Sequence, residues 1–178
     1  MRIVGGLHRG RRFNPPKFFK ARPTTDFAKE SLFNLLNNRI DLESKKALDL
    51  FSGTGSISYE FMSRGCSYVM AVDISEKYLS YIEKTSKLLN PDEKVVRTYK
   101  ANVFTLLNKL ELDYDVIFAD PPYDIDKLET LPDLIFGNDT LKKDAIIIIE
   151  HSLLNNFSKH PHFQEKRVYG KVNFSFFQ

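Results

Sequence analysis

A chain of 178 residues that is 42% hydrophobic and 28% charged matches one globular domain, residues 1–178, with a sizeable core, and excludes fibrous or low-complexity sequence. No apolar run approaches the roughly 20 residues of a membrane span, and the N-terminus is basic without a secretory apolar stretch, so a cytoplasmic monomer with no membrane partner is expected. The lone cysteine, Cys66, excludes an internal disulfide, while His8, His151, His160 and His162 have neither cysteine partners nor helical ligand spacing, which argues against a metal.

Positive charge is concentrated at the N-terminus. Residues 1–22 hold seven basic residues, Arg2, Arg9, Arg11, Arg12, Lys17, Lys20 and Arg22, and no acid; the remainder holds 19 basic against 23 acidic residues. A basic arm on an otherwise acidic domain suits a polyanion, because lysines and arginines displace counterions from phosphates without reading bases. A solvated arm that only aids solubility would give the same pattern. Within the arm, "MRIVGGLHRGRRFNPP" places short extended pieces around Gly5, Gly6 and Gly10, as in a β-hairpin. Next, "RPTTDFAKESLFNLLNN" predicts a helix with a threonine or Asp26 as N-cap and Glu30 in its first turns. Phe27, Leu32, Leu35 and Leu36 make much of its apolar face. Hairpin and helix form a 1–40 extension to a 41–178 core.

From Lys46 onward apolar runs alternate with amphipathic segments. "KALDLF" is followed by a helix from about Ser56 to Arg64, "YVMAVD", a helix from about Glu76 to Leu89, "VVRTYK", a short helix after Asn102, and "VIFAD". A helical stretch around Lys127 to Phe136 and "AIIIIE" continue the pattern, the unbroken isoleucines fitting a strand buried on both faces. Cys66, between a helix end and a strand, reads as a small buried apolar residue rather than a nucleophile. "QEKRVYG" and "KVNFSFF" meet at Gly170 as a closing antiparallel pair. The order is that of an α/β class I methyltransferase core, Rossmann-like, with a mainly parallel seven-stranded sheet.

Ligands of such sheets collect outside the carboxyl ends of the strands. Four ends here carry polar or glycine residues. "LDLFSGTGS" places Asp49 near a strand end and then Gly53 and Gly55, which let the backbone pass close to a ligand. Asp73 follows Gly53 by twenty residues, the separation of an acid that grips ribose hydroxyls. A nicotinamide enzyme would share both features, but Ser58 stands where the dinucleotide fingerprint wants glycine or alanine. Asp49 would repel a diphosphate and attract the sulfonium and ammonium of S-adenosylmethionine, which is the favoured cofactor. The third end, Asn102, could read an adenine edge or merely cap a helix.

The fourth end is Asp120-Pro121-Pro122-Tyr123, where two prolines stop the strand and stiffen the turn. An isolated tetrad of this kind could be a strand terminator with an exposed tyrosine. As a site it offers two acceptors, the Asp120 carboxylate and the Pro121 carbonyl, that could hold both protons of a purine amino group and localise its lone pair. The Tyr123 ring would stack on the base, and Asp120 would take the released proton.

"MRIVGGLHRGRRF", "RPTTDFAKESLFNLL", "LDLFSGTGSISYEFMSRG", "FADPPY" and the terminal "VYGKVNFSFF" together closely resemble the bacterial 16S rRNA guanine-N2 methyltransferases of the RsmD family over essentially the whole chain. The resemblance implies methylation of the exocyclic amine of one guanine, with 16S rRNA or a partly assembled 30S subunit as partner. It implies that S-adenosylmethionine is bound by Gly53, Gly55, Asp73 and Asn102, and that Arg22 to Asp26, with Thr24 and Thr25, lies beside the cofactor cleft. Asp120 to Tyr123 would hold the base, and Arg2, Arg9, Arg11, Arg12, Lys17 and Arg22 would contact RNA. The tetrad alone is shared with adenine-N6 DNA methyltransferases, which normally carry an added target-recognition domain; a basic RNA-binding module without catalysis is the alternative from another class. One departure is Phe27, where many members have arginine, so no phosphate contact is assigned there.

Overall fold

The computed structural model describes residues 1–16, 19, 25–122 and 125–178. Helix α1 (Asp26–Asn37) leads into β1 (Lys46–Leu50), α2 (Ser56–Ser63), β2 (Tyr68–Asp73), α3 (Glu76–Leu89) and β3 (Val96–Lys100). The chain continues through α4 (Val103–Leu107), β4 (Val116–Ala119), a 3-10 turn (Leu128–Thr130), α5 (Leu131–Phe136), β5 (Ile146–His151), β6 (Phe163–Tyr169) and β7 (Val172–Phe177).

The seven strands form one sheet in the order β3-β2-β1-β4-β5-β7-β6, parallel from β3 through β5, with β7 antiparallel to both of its neighbours. The chain steps outward from β1 to β2 and β3 on one side and from β4 to β5 on the other. Strand order therefore reverses between β1 and β4, and a crevice opens beyond their carboxyl ends. Edge strand β6 carries Glu165, Lys166 and Arg167, charges that discourage pairing with another chain.

The β5 isoleucines explain themselves once helices cover both faces of the sheet. Ile146 and Ile148 pack in one core with Leu32, Phe33, Phe61 and Phe118, whereas Ile147 and Ile149 pack in the other with Leu48, Ile117, Leu131 and Phe177. Cys66 is buried as expected, and burial pushes its thiol up to about 12, far from a working nucleophile.

The N-terminal hairpin is present as a short antiparallel pairing, a bridge joining Arg2 and Arg12 with Ile3 N donating to the Arg11 carbonyl and Phe13 N to the Met1 carbonyl, each at 3.0 Å, but one expectation for this segment needs correction. On α1, Phe27 is not part of the buried face; it is 68% exposed, while Lys29 is 1% exposed. The reason is electrostatic. Lys29 Nζ lies 3.4 Å from Glu60 Oε1 and donates to the Arg2 carbonyl at 2.5 Å, and Arg64 Nε lies 3.5 Å from Glu60 Oε2. A buried ammonium needs such partners to stay charged.

The same cluster docks the arm on α2. Val4 N donates to Glu60 Oε1 at 2.7 Å, Leu7 N to the Ser63 carbonyl at 2.7 Å, and the Ser63 hydroxyl to the Gly5 carbonyl at 2.6 Å. Gly6 has φ +73°, and a Cβ there would lie 1.8 Å from the Ser63 carbonyl oxygen, so only glycine fits this approach. Glu60→Ala would leave the Lys29 ammonium with the Arg2 carbonyl and, as counter-charge among the described residues, half-exposed Asp26 at 3.8 Å. A stability loss of about 3–5 kcal/mol is expected by urea unfolding; a loss under about 1 kcal/mol would contradict this role for the cluster.

Candidate functional site

A cleft of about 1220 Å³ opens at the carboxyl ends of β1, β2 and β4, and it gathers residues from the four strand ends singled out in the sequence. Its floor is the turn after β1. Phe51 sits in the left-handed region at φ +60°, a conformation that costs a non-glycine residue about 1–3 kcal/mol. Gly53 and Gly55 follow at φ +50° and +77°. The two glycines serve different ends. A Cβ at Gly55 would meet Ile82 Cγ1 at 2.8 Å and the Tyr59 ring at 2.9 Å, so this glycine lets α2 pack against α3; at Gly53 the nearest atom would be 3.8 Å away, leaving its surface to a ligand. Ser52 and Ser56 line the cleft with buried hydroxyls that have no partner among the described residues.

Asp73 is held by two backbone donors, Gly53 N at 3.0 Å on Oδ2 and Ser75 N at 2.8 Å on Oδ1. Burial raises its pKa, and these amides oppose the rise. The carboxylate is fixed in orientation and keeps lone pairs for ligand hydroxyls. Asn102 caps α4, its Oδ1 accepting from Thr105 N at 3.2 Å, and it also lines the cleft. Ile74 and Phe104 line the same cleft with apolar surface suited to a flat ring.

Strand register explains how the acids converge. Asp49 lies beside Phe118 of β4 and beside Ala71 of β2. Side chains alternate faces along a strand, so Asp120, two residues past Phe118, and Asp73, two residues past Ala71, project from the same face as Asp49. On that face the Ser58 hydroxyl of α2 donates to Asp49 Oδ2 at 2.5 Å. Burial pushes Asp49 up to about 7 against that hydrogen bond, with the charges of Asp120 and Asp73 adding to the rise. Burial also pushes Asp120 up to about 7. Its backbone is clamped, Asp120 N donating to the Leu50 carbonyl at 3.3 Å, and the turn beyond is closed by Ile125 N donating to the Pro122 carbonyl at 3.0 Å.

Thr25 caps α1, its Oγ1 accepting from Ala28 N at 3.2 Å, and lines the cleft together with Asp49, Gly53, Asp73, Asn102, Asp120, Pro121 and Pro122. Thr24, Lys17, Arg22 and Tyr123 lie outside the described residues. Arg9, Arg11 and Arg12 are exposed on the arm, and Arg2 is engaged with Asp26, Nε to Oδ2 at 3.2 Å. Thr54 Oγ1 donates to Met1 Sδ at 3.5 Å, so the base of the arm abuts the glycine turn. Among the described residues no cluster of histidine, cysteine and acid could hold a metal, and no helix is long and apolar enough to cross a membrane. Sequence reasoning missed Phe27, Tyr78, Tyr169 and Lys171 as lining residues. Tyr78 also stacks on Phe19 at 4.3 Å between ring centroids. The α3 periodicity gave no hint that Tyr78 faces a cleft.

The family described as "Conserved hypothetical protein 95" matches residues 1–178. A Bacillus subtilis protein provisionally named the rRNA methyltransferase YlbH is 33% identical over 153 residues, 85% of this chain and 82% of its own. Ribosomal RNA small subunit methyltransferase D of Escherichia coli K12 is 28% identical over 181 residues, 100% of this chain and 89% of its own. The chain belongs to the RsmD family of rRNA methyltransferases. A solved Escherichia coli structure, provisionally named the methyltransferase yhhF, superposes with a TM-score of 0.82 at 26% identity, covering 100% of this chain and 97% of that one.

The cleft fits S-adenosylmethionine, the methyl donor expected from the sequence. The orphaned Ser52 and Ser56 hydroxyls can meet an amino acid carboxylate, Asp73 can meet ribose hydroxyls, and the Asp49 side accepts cationic groups. Among the described lining residues Asp49, Asp73, Asp120 and Glu150 are acids and Lys171 is the one base, a set that would repel a diphosphate. The two glycines give a test. Gly53→Ala should fold, costing about 1–2 kcal/mol for its left-handed φ, yet bind S-adenosylhomocysteine at least about tenfold more weakly; Gly55→Ala should lower thermal stability much further. Equal effects on fold and binding in calorimetry would contradict the division.

Proposed function

We propose that this RsmD-family protein methylates the exocyclic N2 amine of one guanine in 16S rRNA, acting in the cytoplasm as a single-domain monomer on a partly assembled 30S subunit. The observation that carries the reading is Asp120: a carboxylate at the end of β4, on the same face as Asp49, clamped through its backbone and followed at once by Pro121 and Pro122. Relatives named as small-subunit rRNA methyltransferases support ribosomal RNA as the substrate, and the motif resemblance supports the guanine amine.

A guanine amine is a poor nucleophile because its lone pair is delocalised into the ring. The Asp120 carboxylate and the Pro121 carbonyl accept hydrogen bonds from its two N–H groups and turn the lone pair toward the cofactor side of the cleft. S-adenosylmethionine, when bound, supplies the electrophilic methyl group. Asp120, raised to about 7, is matched to neutral pH as the acceptor of the proton released once nitrogen has become cationic. Tyr123 is assigned to stacking on the base. With the cationic cofactor beside it, Asp49 serves as an orienting anion, held by Ser58. Room for two ligands supports the reading, since the cleft's 1220 Å³ exceeds the roughly 300–1,000 Å³ of ordinary small-ligand pockets. The exposed Arg9, Arg11 and Arg12, with Lys17 and Arg22, supply phosphate contacts. Little surface remains to read a long RNA sequence, which favours a preassembled ribosomal particle as the substrate.

The test is transfer of tritiated methyl to 30S subunits lacking the modification, with naked 16S rRNA and DNA in parallel, followed by nucleoside analysis. N2-methylguanosine is expected, with subunits the better substrate; N6-methyladenine would overturn the target. Asp120→Asn should slow single-turnover transfer by about 10²–10⁴-fold while RNA binding persists. Transfer at the parent rate would remove Asp120 from the mechanism.

A further inference from the structure

We propose that Phe27 and Tyr169 form a stacking platform for the nucleobase adjacent to the target guanine. The inference rests on the RNA-methylation reading above and extends it to a residue pair that this reading does not use.

Phe27 sits on the first turn of α1 and is 68% exposed, although the same helix buries Ala28, Leu32, Phe33 and Leu36. Its ring partner among the described residues is Tyr169, at 6.0 Å between centroids and 77° between planes. An edge-to-face pair leaves a face of the exposed Phe27 ring open to a third aromatic system, while Tyr169 is anchored against Phe174 at 6.0 Å. Both residues line the cleft that holds Asp120, so the pair is continuous with the reaction site rather than a separate surface patch.

At the rim a cation stands beside the pair, whereas Asp49, Asp73 and Asp120 lie at the strand ends and Arg2 is neutralised by Asp26 at 3.2 Å. Lys171 lines the cleft two residues after Tyr169. The intervening Gly170 has φ +65° and no atom within 4 Å of where a Cβ would stand, so the turn rises beside open space. Aromatic rings beside a cation bind single-stranded nucleic acid with little sequence preference, because every base has a π-face and every linkage a phosphate. The reaction also creates a demand for such a platform. A guanine drawn into the cleft leaves its neighbour without a stacking partner, and an aromatic ring at the rim replaces the lost contact.

The chain contains no tryptophan, so Phe27→Trp gives a single reporter at this position. Its fluorescence should be quenched when naked 16S rRNA is added at low salt. Phe27→Ala and Tyr169→Ala should each weaken RNA binding and raise KM by about tenfold, with S-adenosylhomocysteine affinity unchanged. Leu88→Ala, at a position 83% exposed on α3, should change neither. Parent-like binding by Phe27→Ala, or an unquenched Phe27→Trp in a complex that has formed, would overturn the platform. A defect seen with 30S subunits but absent with naked rRNA would also overturn it, assigning the contact to a ribosomal protein. Quenching together with RNA binding, but without any methyl transfer by the parent enzyme, would support the platform and place the failure in the proposed reaction.

Discussion

Three carboxylates on one face of a parallel sheet are the constraint around which this cleft is arranged. Strand alternation and in-register pairing bring Asp49, Asp73 and Asp120 to the carboxyl ends of β1, β2 and β4. Burial makes their combined negative charge costly, and it raises all three pKa values. The neighbouring groups mitigate that cost unevenly. Asp73 receives two backbone amides and Asp49 the Ser58 hydroxyl, whereas burial alone raises Asp120. On the proposed reading, a cationic cofactor completes the balance at Asp49 and a substrate amine completes it at Asp120.

The N-terminal arm depends on a second electrostatic arrangement. Lys29, Glu60 and Arg64 form a buried cluster whose acceptor also takes the Val4 amide, and Gly6 allows the arm to lie directly on the end of α2. α2 starts at the glycine turn of the cleft and ends under the arm. One short helix therefore fixes the spacing between the reaction site and the exposed arginines assigned to RNA phosphates. A rigid link of this kind suits an enzyme that must present one base while holding distant phosphates.

Much of this was legible in the sequence because local chemistry left no alternative. Pro121 and Pro122 had to end β4, unbroken isoleucines had to lie in a doubly covered strand, and α3 falls at Glu76–Leu89 as its periodicity predicts. Asp49, Gly53, Asp73 and Asn102 were found because strand ends and glycine spacing are short-range signals. What escaped depends on residues far apart in the chain. Phe27 fitted an apolar helical face by spacing and Lys29 did not, yet Glu60, 31 residues on, draws Lys29 inside. Tyr169 reaches the cleft because β7 inserts between β5 and β6, a pairing order that no local pattern encodes. Ser58 was visible as a departure from the dinucleotide fingerprint, but its positive role, donating to Asp49, needed the fold.

The account is tested most directly by the proton balance of cofactor binding. In the cofactor-free protein Asp49 and Asp120, both near 7, hold protons that the unfolded chain releases near 3.8, so their contribution to stability falls as pH rises from about 4 to 7 and is level above that. A cationic ligand favours the ionised carboxylates. Calorimetry of S-adenosylmethionine binding, in buffers of different ionisation enthalpy from pH 5.5 to 8, should show proton release that diminishes above pH 7 and an affinity that rises with pH and then levels. Proton uptake, or an affinity that is flat or falls over that range, would contradict a cleft organised around an unbalanced set of buried carboxylates.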